Sequence, residues 1–158
     1  MTKKVIIPWE LKYDFAIRSN ASVLKGFLYA IREEYGADAV LKLYERVCRM
    51  DNRIEKLTHT LITIFKLEGN DAETIGHWWD IWGELYGHEY TILERSKTIS
   101  RVKYTKCPWT TQPKDISDWA LIYVNIVNKT INPKATLERP KAMCAGDPYC
   151  EYITRIEE

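Results

Sequence analysis

An α+β fold, with N-terminal helices followed by a ββαββ unit and an antiparallel sheet, is what the residue pattern of this chain predicts. Three observations carry it. Apolar residues recur at helical spacing through the first half, up to Leu85. Beyond Gly87 the texture changes to two short segments joined by Ser96-Lys97-Thr98. A strongly apolar stretch from Asp115 to Asn132 then separates that pair from a second one, which turns on Ala145-Gly146-Asp147-Pro148.

The first helix is read from Ala21 to Tyr35, with Asn20 as its cap, Val23, Phe27, Leu28 and Ile31 on one stripe, and Gly36 as the stop. A second runs from Asp38 to Met50. A third, from Arg53 to Leu67, spaces Leu57, Leu61, Ile64 and Phe65 helically. Asn70 or Asp71 caps a fourth, in which Ile75, Trp78, Trp79, Trp82 and Leu85 form an aromatic stripe. Strands are expected at His88–Arg95 and Ile99–Cys107. The helix after them is apolar on most sides, which suggests burial against both a sheet and other helices, and Pro133 ends it. Strands at Ala135–Met143 and Tyr149–Ile156 close the chain. At 158 residues this is one domain, with a helical half over about 9–86 and a ββαββ half over about 88–157.

Composition excludes several function classes. There are 23 basic and 22 acidic residues, so nothing calls for a nucleic-acid partner. Met1 to Pro8 lacks an apolar run and a cleavage site, and no apolar run is long enough to cross a bilayer. The expectation is a cytoplasmic protein with no membrane partner, whose four cysteines need not be paired. Ten tyrosines and six tryptophans are an excess that can build rigid cores or walls around flat ligands. Aromatics left exposed on the N-terminal helices could support a homodimer.

Chemistry is sought mainly in the last third, in Cys107-Pro108-Trp109 and Cys144-Ala145-Gly146-Asp147-Pro148-Tyr149-Cys150. Cys107, at a strand end near Arg101, Lys103 and Lys106, is a candidate nucleophile. Cys107, Cys144 and Cys150 could together ligate zinc or another soft metal, although no cofactor is required, and Cys144 with Cys150 could form a disulfide. Strand alternation puts His88, Tyr90, Ile92 and Glu94 on one face, giving an acid/base set. Asp147 is a turn residue that could also act as a general base. Arg101 or Lys103 could hold a carboxylate, and Tyr90, Tyr123 and Trp79 could contact a small molecule. His77 shares a polar helix face with Glu73, Asp80 and Glu84.

The Cys-Pro-Trp after a strand, the following helix, and Gly146-Asp147 with Cys150 in a closing hairpin resemble the L-2-amino-thiazoline-4-carboxylic acid hydrolase family. That family is similar in turn to ligand-binding domains of the 4-vinyl reductase type. The resemblance spans about Gly87 to Ile156 and implies a hydrolase acting on a C–N bond of a small cyclic amidine or amide. Water or Cys107 would attack carbon while His88 or Glu94 moves protons. The alternative it leaves open is a non-catalytic ligand-binding or sensing domain, metal- or redox-responsive through its cysteines. The comparable helix, Tyr123-Val124-Asn125-Ile126-Val127-Asn128, carries asparagines and no thiol, which favours the alternative.

Overall fold

The computed structural model describes residues 8–108 and 114–157. The expected α+β architecture is present: four helices, a β-hairpin, a fifth helix and a second β-hairpin, the four strands forming one antiparallel sheet. Trp109 lies outside the described residues.

Helix α1 (Trp9–Tyr35) is 27 residues long and nearly doubles the expected length, because it starts just after Pro8 and runs straight through Asn20. Proline is at ease at a helix start, where an N–H would have no partner anyway. Asn20 is therefore a mid-helix residue rather than a cap. Helix α2 (Ala37–Arg49) follows after the single residue Gly36 (φ 85°), so the two helices form a tight hairpin. Its seam holds Leu28 and Val40, with Leu24, Ile31, Leu41 and Tyr44 around them.

Helix α3 (Arg53–Phe65) ends at Lys66 in the left-handed region. Helix α4 (Ala72–Tyr86) is capped by Asp71, whose carboxylate accepts from the Thr74 N–H at 2.9 Å, and stops at Gly87. That bond is the leading reason the Asp71 carboxyl is held below its usual range. Strands β1 (Glu89–Arg95) and β2 (Ile99–Lys106) come next, then α5 (Trp119–Ile131). The first residues expected in α5 form a short 3-10 turn instead, Lys114–Ile116. Strands β3 (Ala135–Lys141) and β4 (Cys150–Ile156) complete the sheet, in the order β1-β2-β4-β3.

Helices α4 and α5 lie on the same sheet face. Helix α4 approaches closely through two glycines spaced two turns apart. A Cβ on Gly76 would sit 2.5 Å from Ser100 Oγ and 2.6 Å from Arg95 Nε, and one on Gly83 would sit 3.0 Å from the Tyr90 ring. Between α4, α5 and α3 the core holds Leu61, Ile75, Trp78, Val127 and Ile131. Among the described residues no helix is long and apolar enough to cross a membrane.

Candidate functional site

The inward sheet face is built from three successive rungs of the β2–β4 ladder: Ser100 opposite Thr154, Val102 opposite Tyr152, and Tyr104 opposite Cys150. Every one of these six side chains borders a cavity of about 460 Å³ that lies between sheet and helices. Its helical walls come from Trp79, Trp82 and Tyr86 of α4, Trp119, Tyr123 and Val124 of α5, and Leu24 and Tyr44 from the α1–α2 hairpin. The site draws on most of the elements of the chain, which is why no short motif announces it.

Ring packing fixes these walls. Trp82 lies against Tyr86 at 4.2 Å and Tyr123 at 5.1 Å between centroids, and stacks on the fully buried Trp78 at 5.4 Å. Trp79 meets Trp78 edge-on at 4.8 Å. Its indole N–H donates to Asn128 Oδ1 at 2.8 Å, and the Asn128 amide in turn donates to Thr154 Oγ1 at 2.9 Å. Asn128 is wholly buried, so this bridge from α4 through α5 to β4 is shielded from water. Sequence reasoning saw only that Asn128 was not a thiol.

The predicted site residues divide sharply. The structure brings Cys107, Cys144, Cys150, His88, Tyr123 and Trp79 to the cavity wall. Cys107 shares it with Tyr104, although period-2 counting along β2 would set it with Arg101 and Lys103. Strand β2 ends at Lys106, so period-2 counting no longer applies one residue later. The other predicted residues are elsewhere. Arg101 and Lys103 project from the opposite sheet face, where Arg101 pairs with Glu151 at 2.6 Å and Lys103 lies over the Tyr149 ring. Asp147 accepts from the Ala142 N–H at 2.8 Å and ties the turn between β3 and β4. Tyr90 packs under Gly83, its hydroxyl donating to Glu84 at 3.4 Å.

Glu94 marks the largest departure. The β1–β2 register slips between Ile92 and Glu94, so Glu94 faces Arg101 and Arg95 faces Ser100. Such a bulge exchanges the two sheet faces for every later residue. Arg95 therefore takes the inward position that strict alternation gave to Glu94, and Glu94 is exposed on the outside. The Arg95 guanidinium is a two-pronged partner of Asp80 on α4. Asp80 also lies 3.6 Å from the exposed His77, which places two members of the polar helix face in one network. Among the described residues, Arg95 is the one cationic group in the lining, and Asp80 neutralises it.

None of the four cysteines is in a disulfide. Among the described residues no three His, Cys, Asp or Glu side chains gather to hold a metal ion, although three thiols border one cavity. Cys150 Sγ accepts from the Met143 N–H at 3.2 Å, and burial pushes its thiol up, towards the protonated form. Burial likewise raises the phenols of Tyr104, Tyr123 and Tyr152, keeping them neutral. His88 is pushed the other way, to about 4, because burial disfavours the imidazolium. Its ring meets Tyr104 edge-on at 5.4 Å, and its buried Nε2, like the Tyr123 hydroxyl, has no hydrogen-bond partner among the described residues.

A pH dependence follows from the His88 shift. The unfolded chain binds a proton at His88 near pH 6.5 and the folded chain only near pH 4, so stability is full above pH 6.5 and falls as pH drops towards 4. The expected loss is roughly 2 kcal/mol across that window. Urea midpoints measured from pH 7 to 4 should decline for the native chain and stay flatter for His88→Gln. Equal slopes for the two proteins would show that His88 is not the group responsible.

The chain matches no protein-family model and no curated protein. Its fold is nevertheless shared with solved structures. Trafficking protein particle complex subunit 3 from Naegleria fowleri, covalently bound to palmitic acid, aligns with a TM-score of 0.62 at 17% identity, covering 91% of this chain and 96% of that one. The phenol-responsive sensory domain of the transcription activator PoxR, with phenol, gives a TM-score of 0.59 at 11% identity, over 86% of this chain and 74% of that one. What is shared at these identities is the α+β fold. The resemblance to thiazoline carboxylate hydrolases finds no counterpart in these comparisons.

Proposed function

We propose that this chain is a small-molecule-binding module, of sensory type, that encloses an uncharged and largely apolar ligand between its sheet and helices. The observation that carries this reading is the aromatic cavity of about 460 Å³, a size suited to a compact organic molecule. Its electrostatics favour a neutral guest. The one lining cation is matched by Asp80, the buried histidine is held neutral, and the phenols stay protonated. An ionised ligand would lose its hydration without gaining an opposite charge. His88 Nε2 and the Tyr123 hydroxyl, both unsatisfied, supply polar anchors once a ring turns to meet a guest. The ligands named for the two similar structures, a fatty acid attached covalently and a phenol, are both mostly apolar.

The hydrolytic alternative draws less support from the same wall. Cys107 and His88 both border the cavity, but among the described residues the lining holds no carboxylate, and the two basic residues meant for a substrate carboxylate face outward. Proton transfer would fall to a histidine whose basicity burial has reduced.

The test is binding to the purified chain. Substituted phenols and medium-chain fatty alcohols should raise the thermal midpoint and quench tryptophan fluorescence, with a ligand at about 100 times its Kd adding roughly 2.7 kcal/mol. Val124→Trp, which fills the cavity from α5, should abolish both responses while the fold persists by circular dichroism. If no compound in such a panel protects the protein, or if a cyclic amidine is turned over, the binding reading fails.

A further inference from the structure

We infer that the outer face of the α1–α2 hairpin is a self-association surface on which a second copy of this chain docks about a two-fold axis. The inference is independent of what the cavity holds. Leu24, Leu28 and Tyr44 face the seam, Leu24 and Tyr44 also border the cavity, and Cys48, one turn beyond Tyr44, is buried. In two antiparallel helices, positions one residue before the seam positions fall on the same side of the pair. Val23 and Phe27 hold those positions on α1, and Leu43 and Val47 hold them on α2. All four are exposed, Phe27 by 64%, and Met50 extends the α2 stripe one turn further. The sequence pattern had placed Val23 and Phe27 on the buried stripe with Leu28. The structure turns them to the outside.

The exposed apolar surface of these five side chains is on the order of 500 Å² per protomer, at the upper end of what monomers leave uncovered. Pairing it with itself, plus a polar rim, reaches the roughly 800 Å² per partner of a stable interface. The charge pattern favours a copy of the same chain. The turn end of the hairpin carries exposed Glu33, Glu34 and Asp38, while the far end carries exposed Arg46, Arg49 and Arg53, the last two already holding Glu45 and Asp51. A two-fold axis perpendicular to the hairpin lays the acidic end of one protomer on the basic end of the other and superimposes the apolar centres. This is the isologous geometry of a cyclic dimer. Formal net charge of +1 adds little long-range repulsion.

Sedimentation of the full chain tests the proposal. The native protein should be a dimer at about 10 μM in low salt, and Phe27→Glu with Val47→Glu should raise the dissociation constant by at least about 100-fold. Because both positions are exposed, far-UV circular dichroism and the urea midpoint of the variant should match those of the native monomer. Glu34→Arg should weaken the dimer about tenfold, and adding Arg46→Glu should restore it, which reports the head-to-tail charge pairing. A native chain that stays monomeric at about 50 μM, including one that associates only with another protein, overturns the inference. A dimer unmoved by the Phe27/Val47 variant overturns it equally, by placing the interface elsewhere.

Discussion

Asp80→Ala should cost roughly 3 kcal/mol of folding free energy, among the largest effects expected of any polar substitution in this chain. Arg95 is carried inward by the β1 bulge, and its side chain is only 10% exposed. Its charge is tolerable there because both guanidinium arms meet the Asp80 carboxylate. Removing that carboxylate leaves a nearly buried cation packed against Gly76 and Ser100 without its counter-charge. Losing a partner from a nearly buried pair costs far more than the pair itself contributes. For a chain of this size the thermal midpoint should fall by about 6–12 °C. The double variant Asp80→Ala with Arg95→Met, which removes both charges, should recover most of the loss. If the single variant unfolds within about 2 °C of the native chain, the guanidinium has found water and the ion pair does not hold α4 on the sheet.

The second large effect is expected at Asn128. Asn128→Leu keeps the approximate volume but leaves the Trp79 N–H and the Thr154 hydroxyl without the partner that joins them. Each orphaned group costs about 1–3 kcal/mol, for a combined loss of roughly 2–6 kcal/mol. The readout goes beyond stability, because Trp79 forms part of the cavity wall. Freed from its bond to Asn128, the ring should show altered fluorescence, and ligands should bind about tenfold more weakly. Trp79→Phe, which has no N–H to satisfy, should be less harmful in the Asn128→Leu background than in the native one. Additive losses from the two substitutions would show that the bridge is not a unit.

Much of the architecture was legible residue by residue. Helical periodicity in the first half, glycines at helix ends and alternation beyond Gly87 gave the element order and the antiparallel sheet. The cap of α4 could be narrowed to Asn70 or Asp71 from their place before an apolar run, and the structure selects Asp71. Cys107, Cys144 and Cys150 were read as lying at strand ends and in a turn, but that all three border one cavity is seen only in the folded chain. Other features could not be read this way. Period-2 alternation along β2 separates Ser100, Val102 and Tyr104 from Arg101 and Lys103, yet nothing local says which set faces the helices. Glu94 and Arg95 changed places through a single extra residue that only the pairing with β2 reveals.

The chain's own pattern thus determined which segments are helix or strand, because those preferences arise from contacts within a few residues and repeat with a fixed period. Tertiary structure alone decided which faces turn inward, that Arg95 needs Asp80, and that Asn128 joins two helices to a strand. Those outcomes depend on register and on close approach between distant segments, and the cavity exists only where α1, α2, α4, α5 and the sheet meet around unfilled space.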